Sequence, residues 1–291
     1  MLNREQLLQY NTEGYTMIPK FVSHVEVEAI LAEIEKIKGG ATVAHHNAER
    51  LEMEPNQGPE GKSVRRIYEP CTYYAWFRSF SESPNTLDVL EQLVGPNLYF
   101  HYSKINMKPP HLGSIVEWHQ DLTYYPHSNT DCVTVLVYLN DADRSNGCLQ
   151  IIPGAHRQRV LDHTTDGLFQ GKVTEAIDPS KAVFVEGKAG SAIFMHCLTP
   201  HSSAPNRSSK PRTTLILAYR AADAYPVYLK GKTEAQESHA RLVRGQEASQ
   251  ARFTLNSFPI PRFPRDVKSL YELQELSRKE GLGRSDVQAR I

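Results

Sequence analysis

Two residues in the middle of this sequence have the types and spacing to bind one metal ion. His119 and Asp121 stand two apart in the segment Glu117-Trp118-His119-Gln120-Asp121. Side chains two positions apart on an extended strand point to the same side, so both can reach one cation. Alone, the pair is weak evidence. A chain with 12 histidines contains such a pair by chance, and a surface histidine near a turn aspartate explains it as well.

A second histidine-bearing segment shifts the balance toward a metal site. Residues 194–206 include His196 and His201 at the end of a predicted strand, and Arg212 follows His201 by eleven residues. Two imidazoles and one carboxylate with open positions form the facial triad of non-haem Fe(II) oxygenases. The open positions admit a chelating cosubstrate and O₂. The count of 12 His beside 4 Cys also favours imidazole over thiolate as the ligand type.

Further motifs surround these residues in a fixed order. They are Asn106-Met107-Lys108-Pro109-Pro110, Trp118-His119-Gln120-Asp121-Leu122, Asn146-Gly147-Cys148-Leu149-Gln150, Ile152-Pro153-Gly154-Ala155-His156, and His201-Ser202-Ser203-Ala204-Pro205-Asn206 through Arg212. In order and spacing, this set resembles the phytanoyl-CoA dioxygenase family of Fe(II)/2-oxoglutarate-dependent oxygenases. The resemblance covers residues 99–219, and the flanks, where substrate is chosen, match less well.

The resemblance implies His119, Asp121 and His201 as the iron ligands, with 2-oxoglutarate and O₂ as cosubstrates. His196 is the alternative to His201. A buried strand histidine is the favoured interpretation of His196, because only His201 has the family's spacing to a downstream arginine. Halogenating relatives replace the carboxylate by a small residue, so Asp121 argues against halogenation.

The resemblance also implies that Arg212 pairs with the distal carboxylate of 2-oxoglutarate. A guanidinium is always charged and engages a carboxylate through two parallel hydrogen bonds. The alternative is an exposed arginine at the start of a strand. Thr134 and Asn106 occupy positions where similar oxygenases place polar contacts to the cosubstrate, although a strand threonine needs no ligand. Arg66 is a looser candidate for added charge at the same site.

Aromatic residues beside the metal-binding segment are candidates for substrate contact, although they could equally cover the end of a barrel. They are Trp118, Tyr124, Tyr125 and the neighbouring His127. Residues 45–66 and 223–263 are candidate lids. Three basic residues could bind an anionic substrate such as an acyl-CoA, or could belong to a solvated helix face; they are Lys230, Arg241 and Arg244.

The implied reaction is hydroxylation of an aliphatic C–H in a small organic substrate, with release of succinate and CO₂. Desaturation, epoxidation and rearrangement use the same residues. One rival is a non-catalytic cupin-like protein that binds a metal or a small molecule, which would not require Arg212 at its spacing. A Zn or Mn hydrolase is the other rival. It would need a general base near the metal, and Glu117 should point away from the face that His119 and Asp121 share.

The elements that must position these residues form a mainly β protein with flanking helices. Ser23 and Glu26 predict a capped helix that Gly39 ends, and a second helix is predicted over residues 86–94. Short strands without intervening helices then favour a double-stranded β-helix, the cupin-like jelly roll. The predicted strands are 98–107, 130–139, 149–152, 182–186, 191–197 and 213–218. Residues 45–62 are predicted as a loop, and 234–250 and 267–279 as helices.

The whole chain of 291 residues is predicted to be one oxygenase domain. Residues 1–97 form a mostly helical support, 98–222 the jelly-roll core, and 223–291 a C-terminal extension and possible lid. With 33 basic and 33 acidic residues, nothing favours nucleic acid or an anionic membrane as partner. Dispersed cysteines, no apolar signal segment and no long apolar run predict a cytoplasmic protein with reduced thiols.

Overall fold

The computed structural model describes residues 1–55, 57–227, 237–260, 262 and 270–279. Its helices are α1 (Arg4–Glu13), α2 (His24–Lys38), α3 (Pro70–Tyr73), α4 (Ala75–Ser81), α5 (Pro84–Val94) and α6 (Leu270–Lys279). Its strands are β1 (Tyr15–Ile18), β2 (Leu51–Met53), β3 (Val64–Tyr68), β4 (Leu98–Lys108), β5 (Val116–His119), β6 (Cys132–Tyr138), β7 (Leu149–Ile151), β8 (Thr164–Thr165), β9 (Leu168–Phe169), β10 (Val183–Val185), β11 (Ala192–His196), β12 (His201–Ser203), β13 (Arg212–Ala221) and β14 (Arg241–Arg244).

Two antiparallel sheets form the core, as the jelly-roll prediction requires. The larger has the order β1-β11-β6-β13-β4-β3-β2, with β14 added beside β4. The smaller has the order β10-β7-β12-β5. β8 and β9 pair as a separate two-stranded sheet. Many neighbouring strands, including β5 and β12, are distant in sequence, so the site residues converge only when the sheets assemble.

Alternation along the central strands divides the larger sheet into two faces. On β6, Val133, Val135 and Val137 pack into the cluster that α2 and α5 cover. Leu136 and Tyr138 instead face the smaller sheet in a second cluster. Because side chains on a strand alternate between faces, the intervening positions of β6, β13 and β4 line the space between the sheets. That space, which we call the lumen, contains the candidate site.

The N-terminal helices follow the local sequence rules. The Ser23 side chain accepts from the Glu26 backbone N–H, the Glu26 carboxylate accepts from the Ser23 N–H, and Gly39 ends α2 at φ 51°. The predicted second helix is α5, which begins two residues earlier at Pro84. Both predictions are confirmed. The apolar faces of these helices bury the outer face of the larger sheet.

Two predictions of local structure need correction. The predicted loop 45–62 contains β2, which pairs with β3 at the edge of the larger sheet. The predicted helix 234–250 is wrong over its described part, because residues 241–244 form β14 and pair with β4. In both cases an available sheet edge decides the backbone. The last helix is α6, and the start of its predicted range, 267–269, lies outside the described residues.

None of the helices in the described part of the chain has the length and apolarity to cross a lipid bilayer. All four cysteines, Cys71, Cys132, Cys148 and Cys197, are buried and unpaired.

Candidate active site

Two histidines meet where the smaller sheet pairs β5 with β12. His119 is the last residue of β5, His201 is the first of β12, and they face each other in the register. Their ring centroids are 4.0 Å apart. Each Nδ1 donates to a backbone carbonyl, that of Glu117 at 2.8 Å and that of Thr199 at 3.0 Å. These bonds fix the tautomer and leave both Nε2 atoms free to bind a metal.

Asp121 completes the set from just beyond the strand. The expected extended strand ends at His119, but Gln120 keeps extended angles (φ −117°, ψ 129°) and Asp121 starts a 3-10 turn. Asp121 Oδ1 lies 3.7 Å from the Nε2 of His119 and 3.7 Å from that of His201. The other oxygen, Oδ2, accepts a hydrogen bond of 2.6 Å from the Thr134 hydroxyl.

The three side chains suit a non-haem iron. Their ligand atoms all lie within 4.8 Å of one another, and the donor set is two neutral nitrogens and one carboxylate oxygen. Burial and the His201 ring lower the pKa of His119 well below its ordinary range, so its imidazole is neutral at pH 7. Burial raises the pKa of Asp121, but His201 and His119 lower it overall, so this ligand is a carboxylate.

His196, the alternative third ligand, lies elsewhere. Its ring packs against Tyr10 and His156, with centroids 6.3 and 5.2 Å away. Its Nδ1 accepts the Leu198 backbone N–H at 3.1 Å. Of the two candidate histidines, the structure brings only His201 to His119 and Asp121.

A buried histidine that the sequence analysis missed supports the turn at Asp121. His163 Nε2 accepts the backbone N–H of Gln120 at 3.1 Å, and its Nδ1 donates to Leu161 O at 2.8 Å. The Gln120 side chain donates to Leu198 O at 2.7 Å. The residue between the two ligands is therefore held from both sides. No local pattern pointed to His163, because it comes from a distant loop.

A cavity with an empty volume of about 470 Å³ extends from His119 and His201 to Arg212; we call it the Arg212 cavity. Arg212 is 4% exposed. Its Nε donates to Gly147 O at 3.0 Å, and its Nη1 lies 3.4 Å from the Thr214 hydroxyl. Among the described residues it has no carboxylate partner, and burial lowers its pKa. A buried guanidinium facing a cavity is suited to bind an anion.

Asn106 and Arg66 also line the Arg212 cavity. Arg66 Nε donates to the Asn106 side-chain oxygen at 3.0 Å, and Arg66 Nη1 lies 3.8 Å from a carboxylate oxygen of Glu52. Both predicted residues are therefore near the expected cosubstrate position. Thr134 is not among the residues that line this cavity, and its hydroxyl is bonded to Asp121 instead. Its placement suits a role in orienting the carboxylate ligand.

A second cavity, with an empty volume of about 370 Å³, lies against Asp121; we call it the Tyr125 cavity. Lys104 and Ile216 line both cavities. Tyr125 and His127 are on its wall. Lys104 was missed, although the two-residue period of β4 places it on the same face as Asn106.

The other two aromatic candidates lie behind the ligands. Tyr124 packs edge-on against His119, with centroids 5.4 Å apart, and its hydroxyl donates to Gly171 O. Trp118 is buried, and its backbone carbonyl accepts from Val173 N–H. Neither lines the two cavities described above. Both support the metal ligands, because their packing and backbone bonds fix β5 and the following turn.

Basic residues of the C-terminal extension are held at the outer surface. Arg241 pairs with Glu82 at 2.6 Å, and Arg244 pairs with Asp88 at 2.8 Å. These pairs involve helices on the outer side of the larger sheet, away from both cavities. Lys230 and part of the candidate lid 223–263 lie outside the described residues. The other candidate lid, 45–66, contributes β2 and β3 to the edge of the larger sheet.

Glu117 does not serve as a general base at the metal site. Its carboxylate pairs with Arg278 on α6 at 2.9 Å. This agrees with the expectation that it points away from the face shared by His119 and Asp121. A metal-dependent hydrolase therefore lacks its nearest candidate base.

Comparison with known proteins agrees with this geometry. The family model for phytanoyl-CoA dioxygenase matches residues 10–214. A probable alpha-ketoglutarate-dependent hypophosphite dioxygenase from Stutzerimonas stutzeri is 35% identical, over 77% of this chain and 80% of the relative. An ectoine dioxygenase from Bordetella parapertussis is 27% identical over 76% of each chain. The structure of EctD from S. alaskensis with bound Fe has a TM-score of 0.65 at 22% identity, over 87% of each chain, and shares the fold.

Proposed function

Because this chain belongs to the phytanoyl-CoA dioxygenase family, as its motifs predict, we propose that it is an Fe(II)- and 2-oxoglutarate-dependent dioxygenase that hydroxylates a small organic substrate. The observation that carries the proposal is the arrangement of the lumen. It joins a buried two-histidine, one-carboxylate set to a buried arginine with no carboxylate partner among the described residues. A non-catalytic binding protein would not need both features.

In this proposal His119, Asp121 and His201 hold the iron. Bound iron, with 2-oxoglutarate and O₂, supplies an oxidant able to hydroxylate an aliphatic C–H, and 2-oxoglutarate leaves as succinate and CO₂. The chain's task is to orient these groups. The carbonyls of Glu117 and Thr199 fix the imidazole tautomers.

Arg212 binds the distal carboxylate of 2-oxoglutarate and thereby sets the direction of the cosubstrate in its cavity. The Gly147 carbonyl accepts from the same guanidinium and holds it in place. Leu136 and Ile216 line the cavity between Arg212 and the histidines. Their apolar side chains exclude water from the space where a charged cosubstrate must bind.

Thr134 positions the carboxylate ligand by donating to Asp121 Oδ2, which leaves Oδ1 directed between the two imidazoles. Asn106 provides a polar wall in the Arg212 cavity, and Tyr125 lines the substrate side. The enzyme's partner is a small molecule. We place the protein in the cytoplasm, a proposal supported by four buried, unpaired cysteines.

The test of this function is succinate formation from 2-oxoglutarate by the iron-loaded protein under air. We expect slow turnover without substrate in the wild type, and its loss in His119→Ala and Asp121→Ala, because each removes one metal ligand. The control is His24→Ala, whose side chain is 80% exposed on α2. Full turnover in the ligand variants, or none in verified iron-loaded wild type, would refute the proposal.

A further inference from the structure

Lys104 lies at the centre of the lumen. On β4 it stands opposite Ile216 of β13 and Tyr68 of β3, one step along the same face from Asn106. It lines both the Arg212 cavity and the Tyr125 cavity. A lysine at this position is unusual, because the neighbouring inward positions of β13 and β6, Ile216 and Leu136, are apolar.

Within the described residues, the Lys104 ammonium group has no ion-pair partner and no hydrogen-bond acceptor. Its Nζ lies 5.6 Å from the centroid of the Tyr102 ring. Burial, with the Arg66 charge, lowers the pKa of Lys104 to about 8. Lys104 is half-buried, and an ammonium group that is partly removed from water without a partner is stabilised when an anion binds to it.

The other cations of the lumen differ from Lys104 because each has defined partners. Lys108 donates to three backbone carbonyls, those of Ser114, Ser203 and Ala204. Arg66 is bonded to Asn106 and lies near Glu52. Arg212 already has a role toward the cosubstrate. In the described part of the chain, Lys104 is therefore the lumen cation that remains for a second anion.

Neighbouring carboxylates are not available to neutralise Lys104. Asp121 directs Oδ1 between two imidazoles and accepts from Thr134 through Oδ2. Glu69 accepts from the backbone N–H of Ser103 at 3.1 Å. Neither forms an ion pair with Lys104, although both raise its pKa from a distance.

The Tyr125 cavity offers further polar groups beside Lys104. His101 lines it, and its buried Nδ1 has no hydrogen-bond partner among the described residues. The ring of His101 is fixed by Tyr125 and His127, with centroids 5.5 and 5.1 Å away. Asp121 is part of the wall of the same cavity. The wall of the Tyr125 cavity thus combines a lysine and a histidine with Asp121.

We propose that the substrate is a small oxyanion, a carboxylate or a phosphonate, whose charged group binds the Lys104 ammonium in the Tyr125 cavity beside the metal site. This rests on the proposed oxygenase function and adds the substrate class. The wall of the Tyr125 cavity includes both Lys104 and Asp121, so an anion held by Lys104 lies beside the proposed metal ligands. With Arg212 engaged by 2-oxoglutarate, Lys104 would hold the second anion beside Asp121, which lines the same cavity.

The experiment is isothermal titration calorimetry on wild-type protein loaded with Fe(II) and saturated with 2-oxoglutarate under nitrogen. The probes are methylphosphonate, acetate and the neutral ester dimethyl methylphosphonate. We expect at least one of the two anions to bind. If methylphosphonate binds, we expect the neutral ester to bind at least about tenfold more weakly, because it lacks the charge. Which anion binds distinguishes the two oxyanion sources.

Two variants test the residue. Lys104→Met keeps the side-chain length without the charge, and we expect it to weaken anion binding at least about tenfold. Lys181→Met is the matched control, because that lysine is 72% exposed and distant from the lumen. Thermal midpoints establish that both variants fold. The comparison of anion with ester in the wild type does not depend on any variant.

Three results would overturn the proposal. They are no binding of either anion to the wild type, an ester that binds as tightly as the best anion, and unchanged anion binding by folded Lys104→Met. A Lys104→Met variant that only raises the 2-oxoglutarate requirement would assign Lys104 to the cosubstrate instead.

Succinate formation by the wild type is measured separately. Its absence refutes the oxygenase function, whereas its presence without anion binding refutes only the substrate class.

Discussion

The polar residues of the lumen fall into two groups. Some have all their polar atoms paired within the protein, and others keep an atom or a charge without a protein partner. The imidazoles of His119 and His201 each give one nitrogen to a backbone carbonyl and keep the other free. Arg212 gives N–H groups to a carbonyl and a hydroxyl, both neutral, and among the described residues its charge stays uncompensated. Buried polar groups are normally paired within the protein, so we expect ligands to bind at these free nitrogen atoms and at this uncompensated charge.

Arg212→Lys tests the arginine at this scale. Lysine keeps the charge but loses the planar pair of donors, so we expect the 2-oxoglutarate concentration for half-maximal succinate formation to rise at least about tenfold. Arg207→Lys is the control, because Arg207 is exposed. An unchanged 2-oxoglutarate requirement in Arg212→Lys and Arg212→Ala would show that the arginine does not bind the cosubstrate.

At the scale of elements, the turn before β7 links the two sheets. Gly147 has φ +78°, and its carbonyl accepts from Arg212 on β13. A Cβ atom at Gly147 would lie 2.2 Å from the Ala204 carbonyl oxygen, just after β12. Glycine is required there for two separate reasons, the left-handed backbone and the close approach of a neighbouring chain segment.

Gly147→Ala and Gly167→Ala form a matched pair that separates these two reasons. Gly167 has φ +76°, but a Cβ atom placed on it would have no described atom within 4 Å. We expect the alanine at 167 to cost about 1 kcal/mol of unfolding free energy, from backbone strain alone, and the one at 147 to cost about 3 kcal/mol. Urea unfolding measures both. Equal costs would show that the contact with Ala204 relaxes freely.

Gly147→Ala should also raise the 2-oxoglutarate requirement, because the displaced carbonyl no longer orients Arg212. Gly167→Ala should leave that requirement unchanged, since Gly167 lies in the turn between β8 and β9, and Arg212 bonds to Gly147 instead. If Gly147→Ala lowers stability but leaves the 2-oxoglutarate requirement unchanged, the turn before β7 does not contribute to cosubstrate binding.

At the scale of the whole molecule, burial between the sheets keeps several imidazoles neutral. His163 is 1% exposed, and burial lowers its pKa to about 4. In the unfolded chain its pKa is about 6.5. As the pH falls below about 6.5, the unfolded chain binds a proton that the folded chain rejects, so stability is lost until the pH reaches the folded pKa.

We therefore expect metal-free wild type to lose about 2 kcal/mol more unfolding free energy between pH 7 and pH 5 than His163→Gln. Glutamine does not titrate, and its side chain can still accept the Gln120 backbone N–H. Urea unfolding at the two pH values measures the difference. Taking the difference between proteins removes the contributions of other titrating groups, and identical pH dependence in both would contradict a neutral buried His163.

Much of the candidate site could be predicted, partly from the local spacing of His119 and Asp121 and partly from the motifs whose family resemblance implies His201 and Arg212. His119 and Asp121 share one short extended segment, and any backbone close to extended brings their side chains together. Arg212 and His201 stand at strand ends whose alternation is visible in the sequence. The jelly roll follows from the number of short strands. For the same reason the capped helix α2 was predicted closely, since its boundaries depend on Ser23, Glu26 and Gly39.

Features that depend on pairing between distant strands could not be predicted this way. The outer edge of β4 makes residues 241–244 a strand instead of a helix, and pairing with β3 makes residues 51–53 a strand within the predicted loop 45–62. Sequence determined which residue types are present and their local spacing. Only the tertiary structure decided that Thr134 holds Asp121 and that Lys104 lies between two cavities without an ion-pair partner in the described chain. Sheet register and burial arise from contacts across the whole molecule, which local spacing does not contain.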